Sequence, residues 1–275
     1  MSADRTAPAP TAPARGAYYR RLDVPTHFVP TEHTTGGWSA AEQHISPMTG
    51  LLVHEIERTV APDGLQVARI ALDILGVLTL DPFEVTVEVL RPGRTISLVE
   101  ARVAQHGRTA VIARAWRLAV TDTVAVAGGG PAPLPAPATV PAWDLTELFG
   151  GGFVASLDIR RAADAVPGSS RSWTRSRIGL VEGERASTLA SWLAMVDTAN
   201  GLAIRASPAE WHYPNVDLTI HLHRQPVDEW LGFETSVVFG PDGLGITSSA
   251  LHDSTGPVGR VEQMVTIRPR VPAHR

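Results

Sequence analysis

The segment PNVDLTIHLHRQP, residues Pro214–Pro226, alternates apolar and polar side chains almost without interruption. The apolar positions are Val216, Leu218, Ile220 and Leu222, and the polar positions are Asn215, Asp217, Thr219, His221 and His223. A period of two is typical of a β-strand with one apolar face, so the segment predicts a strand that packs on a helix. The polar face is expected to meet water, a ligand or another polar sheet face.

A helix is predicted just before this strand. In ASTLASWLAMVDTANGLAI, residues 186–204, the apolar side chains Leu189, Trp192, Leu193 and Val196 follow the spacing of a buried helix face. The pair Asn200-Gly201 is suited to the end of that helix. Further strands are predicted after the opening one, at 233–239, 245–253 and 259–269, with PDG and TGP turns between them.

The first half of the chain repeats this order. The segment SPMTGLLVHEIERTV, Ser46–Val60, predicts a helix with Ser46 as N-cap and Pro47 in its first turn, although Gly50 lowers its helix propensity. Strands are then predicted at 67–76, 83–90, 95–105 and 110–120. Each half therefore reads as one helix followed by an antiparallel meander. The predicted fold class is α+β, with each unit a curved antiparallel sheet wrapped around one helix.

Two segments of low complexity suggest where these units begin and end. The Ala/Pro-rich N-terminus predicts a disordered tail over 1–16, and the Pro/Gly/Ala-rich segment 128–143 predicts an extended linker. We therefore expect an N-terminal domain at 17–127 and a C-terminal domain at 144–270.

The composition of the 275-residue chain excludes several classes of protein. The net charge of −4 and the lack of a basic stripe argue against a nucleic-acid partner. The chain has no cysteine, which excludes disulfides, thiolate metal sites and a cysteine nucleophile. We expect no membrane partner, because no apolar run approaches about 18 residues and the N-terminus lacks the apolar core of a signal peptide. A cytoplasmic location is the prediction.

Several segments in this order resemble the acyl-CoA thioesterase II family, whose chains are two hotdog folds in tandem. The segments are LRPGR at 90–94, TISLVEARVAQHGRTAVIARAWRL at 95–118, MVDTANG at 195–201, LHRQPVDEWLGFETS at 222–236 and DSTGPVGRVEQ at 253–263. The resemblance covers roughly residues 18–268. It implies a double hotdog fold that hydrolyses a fatty or related acyl-CoA to free acid and CoA without a covalent intermediate. It also implies a homo-oligomer.

The resemblance also implies a catalytic set. In the family an Asp, a Thr and a Gln hold the attacking water, and the Asp and Gln positions fall on Asp197 and Gln263. The Thr position is occupied by Asn215, and Thr219, four residues further on, is the alternative. No cofactor is implied. The oxyanion donors are expected at the start of the first helix, near His44, Ser46 and Gly50.

The residues themselves offer independent support for Asp197 and Gln263. Asp197 closes the apolar helix face, where the helix dipole disfavours a carboxylate and burial would raise its pKa towards that of a general base. The competing interpretation is a surface Asp that caps a turn. Gln263 interrupts the apolar stripe of Val261, Val265 and Ile267, so its amide needs buried partners, which could also be backbone groups.

Other chemistries have less support in the sequence. His221 and His223 could bind zinc with His252 or Asp217, but the spacing is common in ordinary strands, and no metal is predicted. The motifs of serine hydrolases, dinucleotide-binding proteins and P-loop enzymes are missing. A hydratase with a hotdog fold would have a His five residues after its Asp, and the residue five positions after Asp197 is Leu202. The main alternative is a non-catalytic acyl-CoA-binding or scaffolding protein, which the departure at Asn215 favours.

Overall fold

The computed structural model describes residues 16–60 and 63–270. The predicted disordered tail, 1–16, lies outside these residues except for Gly16. Within the described ranges, no helix is both long enough and apolar enough to cross a membrane.

In both halves of the chain short strands precede a main helical segment, and a meander of four long strands follows it. The first half contains β1 (Ala17–Arg21), β2 (His27–Pro30), α1 (Ile45–Thr59), β3 (Leu65–Ile74), β4 (Phe83–Arg91), β5 (Ile96–Gln105) and β6 (Arg108–Ala119). The second contains α2 (Gly152–Ala155), β7 (Leu157–Arg161), β8 (Ser169–Ser176), β9 (Gly179–Val181), α3 (Thr188–Leu193), α4 (Ala199–Leu202), β10 (Trp211–His212), β11 (Asp217–Leu222), β12 (Leu231–Phe239), β13 (Leu244–Asp253), β14 (Gly256–Thr266) and β15 (Arg268–Pro269). The four long strands predicted in each half are therefore present, with small shifts at their ends.

The two halves share one sheet of thirteen strands. From its centre the strands run β3-β6-β5-β4-β2-β1 in one direction and β11-β14-β13-β12-β8-β7 in the other. Strands β3 and β11 join the halves as an antiparallel pair, with Ile70 opposite Ile220. Strand β9 crosses over and pairs in parallel with β1 at the far edge of the first half. The short strands β10 and β15 form a separate pair.

The helices lie on the inner face of this sheet and pack against each other. Helix α1 contacts β4 and β5, and α4 contacts β12 and β13, while α1 and α3 lie side by side. Their approach depends on Gly50, because a Cβ there would lie 2.5 Å from the carbonyl oxygen of Ala190 and 2.6 Å from the Cβ of Ala194. The glycine that costs helix propensity in the sequence thus permits the contact between the helices.

The structure corrects two predictions about the helices. The single helix predicted within 186–204 is broken into α3, a 3-10 turn at Val196–Thr198, and α4. Ser46 is not the N-cap of α1, because His44 holds that position and accepts a hydrogen bond from the Ser46 N–H. Pro47 lies in the first turn, as predicted.

Sequence reasoning also missed the strands that precede the helix in each half: β1, β2, β7, β8 and β9. Most of them are short, and none shows the clean alternation of β11. The linker segment contains a 3-10 turn at Pro137–Thr139, and its end covers the outer edge of β7, where Trp143 N–H donates to Ile159 O and Arg161 N–H to Pro141 O. The predicted domain boundaries stay predictions.

Candidate active site

A β-bulge at the start of β11 turns Asn215 towards the helices. Asn215 lies opposite Val265, and Thr219 lies opposite Glu262. Between these two pairs the chain advances four residues on the β11 side, from 215 to 219, but only three on β14, from 265 to 262. The extra residue shifts the alternation by one. The predicted alternation is therefore wrong at its first two positions: Val216 is 44% exposed, away from the core, and Asn215 no longer shares a face with Thr219.

The bulge is stabilised by side chains that the alternating pattern does not reveal. The carboxylate of Asp217 accepts a hydrogen bond from the Met264 N–H at 2.7 Å, at a point where a regular ladder would use a backbone carbonyl. The Asn215 side chain donates to the Asp217 carbonyl at 3.0 Å. The two polar residues thus hold the irregular backbone that aims Asn215 inward.

Asp197 lies in the 3-10 turn between α3 and α4 and is only 4% exposed. Its predicted position at the C-terminus of a long helix is wrong, because the helix breaks before it. Its backbone N–H donates to Ser46 Oγ at 3.0 Å, which links the turn to the start of α1 in the other half. Such burial is incompatible with a surface Asp that merely caps a turn.

Two amides meet on one oxygen of the Asp197 carboxylate. Asn215 Nδ2 and Gln263 Nε2 each donate to Asp197 Oδ1 at 2.7 Å. The structure therefore brings together three of the four predicted site residues. Thr219 is not among them, because it lies in the middle of β11 between Ala71 and Glu262, on the outer side of the sheet.

The environment of Asp197 favours its neutral form. Burial raises the pKa of its carboxyl to about 8, and the hydrogen bonds from Asn215 and Gln263 lower it only in part. Its other oxygen, Oδ2, accepts no hydrogen bond within the described part of the chain and lies 3.5 Å from His44 Nδ1. A buried carboxyl with one fixed and one free oxygen is suited to accept a proton near neutral pH.

His44 was named from the sequence only as a marker of the helix start that could supply oxyanion donors, and its contact with Asp197 was not predicted. Burial lowers the pKa of its imidazole to about 3, so the ring is neutral at physiological pH. Its Nδ1 accepts the Ser46 N–H at 3.2 Å, which places the remaining proton on Nε2. The sequence signal was a polar residue just before a Ser-Pro helix start, but serine is the commoner cap and Ser46 was chosen instead.

A cavity of about 350 Å³ leads to this group at the junction of the two halves. Its walls include Trp38, His44, Leu75, Asp197, Asn215 and Arg268. Trp38 stacks on His212 with their ring centroids 5.1 Å apart. Leu75 is exposed at the rim, and Arg268 lies at the surface. A ligand that enters here from solvent reaches the Asp197 carboxyl.

A second cluster of titratable groups lies near the other end of α1. His54, Glu55 and Glu184 are close enough to hold a metal ion. However, the Arg21 guanidinium donates to both carboxylates at 2.6 Å, and His54 Nε2 is 2.9 Å from Glu184. A guanidinium already supplies the positive charge there, so the cluster is an ion-pair network that joins β1, α1 and the segment before α3.

His221 and His223, considered as zinc ligands and not predicted to bind a metal, also have cationic neighbours. His221 lies exposed on the outer side of the sheet, between Arg69 and Arg260 on the adjacent strands. His223 follows the end of β11, where its N–H donates to Val258 O. Two flanking arginines disfavour a divalent cation at this place.

Comparisons with solved structures identify the fold. The acyl-CoA thioesterase II TesB2 from Mycobacterium marinum is 19% identical, with a TM-score of 0.65 over 94% of this chain and 97% of that one. A protein with a hotdog fold from Alicyclobacillus acidocaldarius is 13% identical, with a TM-score of 0.72 over 91% of this chain and 96% of that one. At these identities the likeness shows the fold alone, which is the double hotdog predicted from the sequence.

Family models identify the chain more closely. A comparison with curated proteins finds no match. By contrast, the model of the acyl-CoA thioesterase N-terminal domain matches residues 34–118, and that of the C-terminal domain matches residues 130–267. The second match alone covers half of the chain. The chain therefore belongs to the acyl-CoA thioesterase family and is a thioester hydrolase.

Proposed function

We propose that the protein hydrolyses an acyl-CoA to a free acid and CoA by means of a water molecule that Asp197 activates. The observation that carries this proposal is the Asp197 carboxyl itself, buried at the wall of the cavity with one oxygen held by two amides. Asn215 and Gln263 fix Oδ1, so the plane of the carboxyl is set and Oδ2 is the oxygen available to a water molecule.

The reaction then needs no nucleophilic side chain. Asp197 Oδ2 takes a proton from water as the water oxygen bonds to the thioester carbon. The resulting tetrahedral intermediate expels the CoA thiolate, which receives the proton. The raised pKa makes Asp197 a stronger base than an exposed Asp. Gln263 Oε1, buried and without a partner among the described residues, is placed to accept the second hydrogen of the water.

The start of α1 supplies a donor for the oxyanion. The first three residues of α1 are Ile45, Ser46 and Pro47. Pro47 has no N–H, and the Ser46 N–H donates to His44, so the Ile45 N–H is the one of the three that is available to a ligand. Ile45 lines the cavity beside Asp197. A backbone N–H at a helix N-terminus stabilises negative charge that develops on the carbonyl oxygen.

The test is CoA release from a panel of acyl-CoAs by wild type and three variants. Asp197→Asn should lower turnover by roughly two to four orders of magnitude, the usual contribution of a general base. Gln263→Ala should lose less, because it positions the water and takes no proton. Ser236→Ala, on the exposed side of β12, is the matched control. Full activity in a correctly folded Asp197→Asn protein, with folding judged by circular dichroism, would exclude this mechanism.

The alternative of a non-catalytic acyl-CoA-binding protein depended on Asn215 at the threonine position. In the structure Asn215 donates a hydrogen bond to Asp197, so the departure from threonine still leaves a hydrogen-bonding side chain against this carboxyl. Family membership as a thioester hydrolase also speaks against it. A ligand that raises the melting temperature without any CoA release would be the evidence in its favour.

We also propose that the protein is a homo-oligomer that associates through the outer side of its sheet. Val216, Met264 and Ile246 form an exposed apolar row there, because Ile246 lies opposite Met264 and the Val216 N–H donates to Met264 O. A single-chain mass in light scattering at micromolar concentration would contradict this. The cytoplasmic location stays a prediction.

A further inference from the structure

The inner face of the second half is polar where that of the first half is apolar. The hairpins β5–β6 and β13–β14 have the same register, since Gln105 lies opposite Arg108 and Asp253 opposite Gly256. Residues at the same distance from these two turns therefore occupy corresponding positions in the two hairpins. The pairing of β5 with β4, and of β13 with β12, extends this correspondence to one more strand in each half. The corresponding positions are Thr247 and Val99, Ser249 and Ala101, Thr235 and Val87, and Gln263 and Ala115. Four aliphatic positions of the first half therefore carry hydroxyl or amide groups in the second.

These polar side chains form one continuous row. Gln263 on β14 lies opposite Thr247 on β13, Ser249 is the next inward residue of β13, and Thr235 on β12 lies opposite Ser249. Ser170 on β8 continues the row opposite Thr235. We call these five residues the hydroxyl row. All of them are buried, with 4% exposure at most.

The protein does not satisfy the end of the hydroxyl row that is nearest the active site. Thr235 Oγ1 and Ser249 Oγ share a hydrogen bond of 2.8 Å. Thr247 Oγ1 and Gln263 Oε1 are buried and have no partner among residues 16–60 and 63–270. Buried polar groups normally have partners. The catalytic water of the proposed mechanism would serve Gln263 Oε1, so a further group from outside the protein is expected at Thr247 Oγ1.

The hydroxyl row continues inward from the catalytic cavity. Its first member, Gln263, is bonded to Asp197 on the cavity wall. Helix α4 lies over β12 and β13 and carries Asn200, which lines the same cavity. None of the five residues of the row lines the cavity itself, so the part of a substrate beyond the thioester carbonyl would have to pass Asp197 and enter between α4 and these strands to reach the row.

We propose that the hydroxyl row binds the acyl group of the substrate and selects an acyl group with a neutral oxygen substituent, such as a hydroxyl or keto group. This inference rests on the proposed thioesterase function. A plain hydrocarbon chain would leave Thr247 Oγ1 without a partner, whereas an oxygen on the chain would provide one. A site built to hydrogen-bond a hydroxyl discriminates against the analogue that lacks it. The row contains no charged side chain, so it matches a neutral group better than a carboxylate.

The experiment compares substrates of equal chain length. The probes are octanoyl-CoA, β-hydroxyoctanoyl-CoA, β-oxooctanoyl-CoA and ω-hydroxyoctanoyl-CoA, and the readout is the ratio of kcat/KM for each oxygenated substrate to that for octanoyl-CoA. For wild type at least one ratio should exceed one by about twofold to tenfold for each hydrogen bond gained. Thr247→Val keeps the shape of the side chain and removes the hydroxyl, so the ratio should fall towards one. Ser236→Ala, on the opposite face of β12, should leave it unchanged.

A second readout separates this inference from the proposed function. The S-alkyl thioether analogues of the same CoA derivatives have no carbonyl to hydrolyse, and their Kd values are measured by calorimetry. If no acyl-CoA releases CoA, the proposed function fails, and the Kd ratios still test the hydroxyl row. Equal kcat/KM or Kd for plain and oxygenated ligands would overturn the inference. So would a preference that Thr247→Val leaves intact, once thermal unfolding shows that the variant is folded.

Discussion

Replacement of Asp197 by asparagine should make the protein more stable at neutral pH although it makes the enzyme less active. The reason is the burial that raises the carboxyl pKa to about 8. In the unfolded chain the same carboxyl ionises near pH 4. Between these two pH values the carboxyl has lost its proton in the unfolded state but keeps it in the folded state. The free energy of unfolding is therefore highest below about pH 4 and falls as the pH rises to about 8.

The size of the effect follows from the difference between the two pKa values. Each pH unit between them costs about 1.4 kcal/mol, so wild type should lose at most about 4 kcal/mol between pH 4 and pH 7. An amide at position 197 cannot ionise and avoids this loss. Its oxygen can still accept the hydrogen bonds from Asn215 and Gln263, so little else is expected to change. Activity and stability thus move in opposite directions, as is common at active sites.

The assay is urea unfolding of wild type and Asp197→Asn at about pH 4 and about pH 8, where the linkage is smallest and largest. The free energies of unfolding should be similar at the lower pH and favour the variant at the higher pH. Asp242→Asn, in the exposed turn between β12 and β13, is the matched control and should show no such divergence. A variant that is less stable than wild type at both pH values would show that Asp197 is a structural residue and refute the argument.

Three further outcomes are expected. First, kcat/KM should rise with pH to a plateau with its midpoint near 8, because Asp197 acts as a base only when deprotonated and burial raises its pKa to about 8; a flat stopped-assay profile across this range would contradict the assignment. Second, Asn215→Ala should lower turnover more than Asn215→Thr, since threonine can still donate one hydrogen bond to Asp197 and alanine cannot; equal rates in a CoA-release assay would remove Asn215 from the site. Third, Gly50→Ala should lower the free energy of unfolding by about 1–3 kcal/mol through overpacking of α1 against α3, whereas Gly76→Ala, where a Cβ meets no atom within 4 Å, should be neutral in the same urea titration.

The regular parts of this fold could be predicted from sequence because their patterns are local. The helix α1 and the long strands in each half follow the periodicity of their own side chains, and the predicted ranges agree within a few residues. The pairing of β3 with β11 could not be predicted, since it depends on the order of strands across two distant segments. Short strands such as β1 and β2 are defined by their partners more than by their own residues.

The irregular parts carry the candidate active site, and here periodicity was misleading. The alternation over 214–226 continues through the bulge in the sequence, yet the structure reverses it at Asn215 because Asp217 replaces a backbone acceptor. The helical spacing from Leu189 to Val196 likewise continues up to the point where the helix breaks and exposes Asp197 to the cavity. The break in the helix contains no glycine or proline, and Pro214, which directly precedes the bulge, does not show that the alternation shifts there. The proposed catalytic residues were named through the family resemblance, and periodicity alone placed only Gln263 on the correct face of its strand.

The pairing of β3 with β11 bears on any attempt to produce the two halves as separate chains. Each half alone would end its sheet in a long, unpaired edge strand, an arrangement that invites aggregation. It would also lack part of the chemistry, since His44 and Ser46 belong to the first half and Asp197 to the second. When the halves are co-expressed as two polypeptides, soluble and active protein is therefore expected only if the two fragments associate by pairing β3 with β11.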